Sequence, residues 1–205
     1  MKLLVRAYNG SMTTIDDISR AAAALTAGGA VVFPTDTVYG LGVAVGPCQT
    51  PEELFRIKRR PSDKPVAWLV ESPNDLLTYG KEVPAAALEL ARAHWPGALT
   101  LVVRASERVP RAFQSEEGTI GLRMPAGKTA LELIRAAGVP LATTSANISG
   151  CPAPSCDCEL DPALLADAAV VLRGEDCPGG QASTVVDCTG PLLRVLRQGS
   201  IRVTD

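Results

Sequence analysis

Apolar residues recur along this chain in two alternating rhythms: short β-rich runs, and longer stretches with helical spacing. The first helical stretch is "TTIDDISRAAAALTAGG" (13–29). Thr13 or Thr14 caps it, Asp16 and Asp17 lie in its first turn, and Gly28 or Gly29 ends it. Short strands follow at 30–34 ("AVVFP") and 41–45 ("LGVAV"). The segment 50–60 ("TPEELFRIKRR") predicts a second helix, with Thr50 and Glu53 as a capping box and Pro51 at its first position. Lys58, Arg59 and Arg60 then fall at its C-terminal end, where cations suit the dipole.

The same reading places strands at 66–70, 98–105, 119–125 and 139–147, and helices from 72–75, over 84–95 and over 128–138. A polar loop is expected at 106–118 and a long irregular connection at 148–162, of the kind that often serves as a lid. "AAVVLR", "STVVDC" and "LLRVLR" supply three last strands. The expectation is one α/β domain over 1–205 with a mixed sheet, because the β–β runs at both ends cannot all be βαβ crossovers.

Charge narrows the chemistry. Lys+Arg 20 against Asp+Glu 22 gives a net charge of -2, so nothing draws the whole protein to nucleic acid and any anion site must be local. One local concentration stands out: "KRRPSDKP" (58–65), with Pro61 stopping the preceding helix. On a regular helix Lys58 and Arg60 point apart; on an irregular end they converge on one anion, or else the patch is a solvated helix end. The N-terminus has no signal-peptide pattern, and no apolar run approaches the roughly 18 residues of a membrane span, so a soluble cytoplasmic protein is expected.

Several reaction types are excluded by residue type. His94 is the sole histidine, in a setting that suits a packing or capping role, so an HExxH zinc motif is impossible, and the sequence His94-Trp95-Pro96 is no HxE motif. No Walker A and no GxGxxG motif is present. Of six cysteines, Cys151, Cys156 and Cys158 cluster in "CPAPSCDC", a spacing that does not match zinc knuckles. Reduced thiols are expected, with a Cys156–Cys158 or Cys151–Cys158 disulfide as the alternative that would freeze the loop.

Four segments carry the remaining chemistry. "FPTDTVYGLG" (33–42) sets hydroxyls, an acid and glycines at the end of a strand, where α/β folds place ligands. "KRRPSDKP" supplies the cations. In "GTIGLRMP" (118–125) alternation puts Ile120 and Leu122 on one face and Thr119, Gly121 and Arg123 on the other. An Arg inside an apolar strand needs an acidic partner or a ligand carboxylate, unless that strand is half-exposed. "LATTSANISG" (141–150) offers Thr143, Thr144, Ser145, Asn147 and Ser149 without a base, which suits binding and polarisation rather than a serine nucleophile.

These segments, with "WPGALTLV", "STVVDC" and "LRQG" in the same order, resemble the YrdC/Sua5 family of threonylcarbamoyl-AMP synthases over roughly residues 14–200. The resemblance implies an α/β domain whose twisted mixed parallel/antiparallel sheet is flanked by helices around a concave, positively lined groove. It implies a nucleotidyltransferase that joins L-threonine, bicarbonate and ATP, with Mg²⁺ on the phosphates, and releases pyrophosphate. A separate transferase would then pass the threonylcarbamoyl group to an adenosine of tRNA. The catalytic tetrad would be Lys58, Arg60, Ser145 and Asn147. Threonine would meet Thr37, Arg123, Ser145 and Ser183, and the nucleotide Arg60, Lys64, Thr119, Thr143 and Arg197. Three departures stand against that pattern: Leu69 where several members have His, Ala153 in place of a hydroxyl, and apolar Ala126 and Gly127 in "MPAG". The chain is similar to the short form, without the C-terminal extension of longer relatives. An RNA-binding paralogue and a carbamoyl-adenylate synthase for another acceptor are the alternatives. Eight aromatics (two Trp, three Tyr, three Phe) and the net charge weigh against the former.

Overall fold

Nine strands among the described residues form one mixed sheet in a computed structural model that covers residues 14–59, 65–173 and 177–203. They are β1 (Val31–Phe33), β2 (Gly40–Ala44), β3 (Ala67–Leu69), β4 (Leu99–Arg104), β5 (Thr119–Arg123), β6 (Leu141–Ser145), β7 (Val170–Val171), β8 (Thr184–Asp187) and β9 (Arg194–Arg197). Their order across the sheet is β7-β1-β2-β6-β3-β5-β4-β8-β9. Parallel pairs (β1 with β7, β3 with β5, β4 with β8) are interleaved with antiparallel ones. Six α-helices among the described residues flank the sheet: α1 (Ile15–Thr26), α2 (Glu52–Lys58), α3 (Asp75–Tyr79), α4 (Ala85–His94), α5 (Lys128–Ala137) and α6 (Pro162–Asp167).

The register explains how one sheet makes both a core and a site. Val43, Ala142, Trp68, Leu122, Leu101 and Val186 are successive cross-strand partners, and every one is buried in the larger core. The next row over runs Gly42, Thr143, Ala67, Gly121, Val102, Asp187 and Arg194. Side chains alternate between faces, so this second row must point the other way. A one-residue slip of any strand would exchange the two rows locally.

That other face is only half covered. Helix α1 buries Ile18, Ala21, Ala22 and Leu25, at the spacing of one helical face, with Ala130, Leu133 and Ile134 of α5 and with Val31, Phe33 and Leu141. Over the strands from β6 to β9 a groove remains open.

The start of α1 is fixed as expected. Thr14 Oγ1 accepts from Asp17 N (3.2 Å) and Thr14 N donates to the Asp17 carboxylate (3.1 Å), a reciprocal capping box. The expected box on α2 does not form. Pro51 itself is the N-cap, without a side-chain cap bond, and Glu53 instead pairs with Arg56 (2.7 Å) one turn on. That helix also ends earlier than predicted, because Arg59 turns left-handed (φ 52°) directly after Lys58.

Two further differences concern the 148–162 connection. Residues 162–167 form a short helix absent from the sequence reading, with Asp161 accepting from Ala163 N (2.7 Å) and Pro162 at its first turn. The expectation of reduced thiols fails at one pair: Cys156 and Cys158 are disulfide-bonded, while Cys48, Cys151, Cys177 and Cys188 are free. The connection is tied to the sheet by its backbone. Pro154 O accepts from Tyr39 N (2.8 Å) and Ser155 O from Cys177 N (2.8 Å). Among the described residues no helix is long and apolar enough to cross a membrane.

Candidate functional site

The floor of the groove is made of small residues where the strands meet. Ala67 and Gly121 are cross-strand partners in its central row. A Cβ on Gly121 would lie 3.3 Å from the Thr100 methyl, so glycine keeps this part of the floor open. Larger polar side chains then rise around it, and the groove encloses about 630 Å³.

Arg123 is the organising residue. It is the last residue of β5, only 6% exposed, and faces away from the core that takes Ile120 and Leu122. Its Nε donates to Gly97 O (2.9 Å), one terminal nitrogen to Thr37 Oγ1 (2.9 Å) and the other to Asp36 Oδ1 (2.6 Å). The acid that a strand Arg requires is thus Asp36, of the "PTDT" turn after β1. Three of the five N–H donors of the guanidinium are used in these bonds, which leaves two for a ligand. Burial pulls the pKa of Arg123 down, and Asp36 opposes that pull.

Close backbone approach holds the Asp36 turn in place from two sides. A Cβ on Gly127 would lie 2.9 Å from Asp36 N, and one on Gly179 would lie 2.6 Å from Asp36 O. Asp36 also accepts from Ala126 N (3.1 Å). The apolar "AG" of "MPAG" thereby has a local reason: Gly127 is where two loops touch. Replacing Gly179 by alanine is expected to cost about 1–3 kcal/mol of stability, since a backbone atom cannot step aside. A drop in melting temperature checks this, and an unchanged melt contradicts it.

A second cluster lies along β6. Lys58 is buried (3% exposed), and its ammonium donates to Asn147 O (2.6 Å), Asn147 Oδ1 (2.9 Å) and Ser145 O. Ser145 Oγ donates to the same Asn147 Oδ1 (2.5 Å). Asn147 Nδ2 donates onward to Ile148 O (3.0 Å) and Cys151 O (2.6 Å). In this arrangement Lys58 fastens the loop after β6 and does not stand open in solvent like the cations of a surface patch.

The third cluster is Ser183, Thr100 and Arg197. Arg197 donates to Ser183 O (3.0 Å) and Ser183 Oγ (3.1 Å), and Ser183 Oγ is 2.8 Å from Thr100 Oγ1. Arg197 makes no ion pair among the described residues. Burial, then repulsion from Arg123, pulls its pKa down. Two guanidiniums that repel each other across a groove form a natural seat for an anion. At the far end Arg194 pairs with Asp187 (3.0 Å), and Glu117 adds a second acid to the rim. Among the described residues, the charged side chains of the lining are Arg123, Arg194 and Arg197 with Glu117 and Asp187.

Of the residues singled out in the sequence, Thr37, Thr119, Thr143, Ser145, Arg123, Ser183 and Arg197 all line this groove. Lys58 and Asn147 stand directly behind Ser145. Arg60 and Lys64 lie outside the described residues. His94 ends α4 and is not among the groove residues. Leu69 does line it, giving an apolar wall where a histidine was the alternative. Asp36 and Thr100 are the partners that the sequence reading passed over.

The sheet thus has one face buried in the larger core and, on the other, a groove lined by hydroxyls and arginines. The chain belongs to the Sua5/YciO/YrdC family, whose model, described as "Telomere recombination", matches residues 23–199. A curated relative from Mycobacterium tuberculosis, named putative threonylcarbamoyl-AMP synthase, is 42% identical over 185 residues, covering 90% of this chain and 84% of the relative. A threonylcarbamoyl-AMP synthase from Pyrococcus abyssi is 38% identical over 181 residues, 88% of this chain, which spans only 53% of that relative. The crystal structure of P. abyssi Sua5 complexed with L-threonine matches with a TM-score of 0.82 and 38% identity, over 89% of this chain and 54% of that one.

Proposed function

We propose that this protein is an L-threonylcarbamoyladenylate synthase, a nucleotidyltransferase that converts L-threonine, bicarbonate and ATP to threonylcarbamoyl-AMP and pyrophosphate. The observation that carries the reading is Arg123: a buried strand guanidinium with two donors left over, set beside Thr37 and across the groove from Ser183 and Arg197. The names of the relatives and the threonine complex of P. abyssi Sua5 point the same way.

The chemistry asks for charge control more than for proton transfer. The threonine amine attacks CO₂ and releases a proton to solvent, or attacks bicarbonate with loss of water, to give a carbamate. A carbamate oxygen then attacks the α-phosphorus of ATP, and pyrophosphate leaves. Both reactants of the second step are anions, so catalysis consists largely of neutralising and aligning them. Arg123 takes the threonine carboxylate, with Thr37, Ser145 and Ser183 around it. Thr119, Thr143 and Arg197 meet the nucleotide, together with Arg60 and Lys64. Lys58 and Asn147 hold Ser145 at a fixed height above the floor. Among the described residues no group of three or more acidic, histidine or cysteine side chains is arranged to hold a metal. In this reading Mg²⁺ enters as part of the substrate MgATP, on the phosphates.

The product is activated toward attack by an amine, so a transferase acting on tRNA adenosine is its consumer in this reading. Work in the cytoplasm follows from that partner. The test is product identity. With ¹³C-bicarbonate, L-threonine and MgATP, the protein should yield an adenylate that carries both the label and the threonine. Pyrophosphate release with unlabelled AMP as the only nucleotide product would overturn the assignment.

A further inference from the structure

The motif "WPGALTLV" (95–102) has no role in the reading above, yet it touches both halves of the groove floor. The indole of Trp95 donates to Leu99 O (2.7 Å), closing the segment on itself. Gly97 donates to Met124 O (2.8 Å) and accepts from Arg123 Nε (2.9 Å). Ala98 O accepts from Thr184 N (2.9 Å), which docks the entry of β8. Thr100, 4% exposed, reaches Ser183 Oγ at 2.8 Å.

Proton counting at that last contact is informative. Each hydroxyl has one proton to give. Ser183 Oγ already accepts from Arg197, and the single proton between Thr100 and Ser183 satisfies only one direction of their bond. Whichever hydroxyl donates within the pair, the other keeps its proton for a third group. Both residues line the groove, on the same stretch of floor as Arg123 and Arg197. A hydroxyl proton offered between two guanidiniums matches an oxyanion.

We propose that Thr100 is a positioning residue that holds the Ser183 hydroxyl, so that the pair presents one O–H donor to the carboxylate of the amino-acid substrate. This rests on the threonine-binding reading of the groove. "WPGALT" then acts as a brace: its Gly97 carbonyl aims Arg123, and its Thr100 hydroxyl aims Ser183, at the same anion.

The test compares wild type, Thr100→Val, Thr100→Ser, Thr100→Cys, Ser183→Ala and the Thr100→Val/Ser183→Ala double variant. L-threonine binding is measured by calorimetry, and KM for threonine and for ATP by pyrophosphate release. Thr100→Val should weaken threonine roughly tenfold, the order of one hydrogen bond to a charged group. KM for ATP and the melting temperature should stay near wild type. Thr100→Ser should restore threonine binding, and Thr100→Val should add little once Ser183 is gone. Should Thr100→Val not fold, Thr100→Cys, which replaces the hydroxyl by a weakly hydrogen-bonding thiol, carries the same expectation in weaker form. Unchanged threonine binding, an equal loss for ATP, or full additivity with Ser183→Ala would overturn the proposal. Wild-type protein that binds no threonine would sink the functional reading itself. Wild-type binding with indistinguishable variants would sink only the role of Thr100.

Discussion

Arg123→Met should lower threonine-dependent kcat/KM by roughly 10²–10³, the cost of losing a positioned cation at a developing or bound anion. It should also destabilise the fold by about 3–5 kcal/mol, because Asp36 would be left buried without its partner. The side chains of Arg123 and Asp36 are only 7% and 15% exposed, so solvent cannot replace the missing charge. The two losses are separable. Adding Asp36→Asn to Arg123→Met removes the orphaned charge and should recover much of the stability, yet none of the activity. Arg123→Lys should fail in activity as well, since one ammonium cannot reproduce a fork that reaches Gly97, Thr37 and Asp36 at once. Denaturant melts and steady-state kinetics on the same four proteins check this. Recovery of activity in the double variant would contradict a substrate-binding role for Arg123.

Lys58→Met is the second large effect. It removes a buried ammonium that satisfies Ser145 O, Asn147 O and Asn147 Oδ1. The Ser145 and Asn147 carbonyls would lose this donor, while Asn147 Oδ1 keeps Ser145 Oγ, and the loss should cost about 2–3 kcal/mol. The loop after β6 would relax, and Ser145 would lose its fixed position beside the groove, so kcat should fall by roughly 10² or more. Arg59→Gly is the matched control. Arg59 is exposed and left-handed (φ 52°), a conformation that glycine adopts without strain, so stability should change by less than about 1 kcal/mol and activity little. Equal losses at Lys58 and Arg59 would mean that the basic segment acts through diffuse charge and not through this bonded network.

Much of the fold could be read from local pattern. Alternation in "GTIGLRMP" assigned Ile120 and Leu122 to the core and Thr119, Gly121 and Arg123 to the other face, and the register of β5 agrees. The need of a strand Arg for an acid was also legible; which acid was not. Asp36 and Arg123 stand 87 residues apart, and Thr100 and Ser183 stand 83 apart. Only the strand order β5-β4-β8 and the packing of the turn after β1 bring them together, and local periodicity carries no information on either. The true partners of Lys58 were hidden for another reason: two of them are backbone carbonyls, which every residue possesses. Failure at the expected α2 capping box has a local cause, since Pro51 took the cap position and Arg56 claimed Glu53. Helix α6 did have a signal in Asp161 and Pro162, but it stood inside a stretch rich in loop residues.

The central claim is that one groove joins three substrates, and pyrophosphate release tests it most directly. Purified protein with MgATP should release pyrophosphate only when L-threonine and bicarbonate are both present, and serine or valine in place of threonine should lose that release. Release that is indifferent to threonine, or absent with all three substrates and an intact fold, would contradict the account.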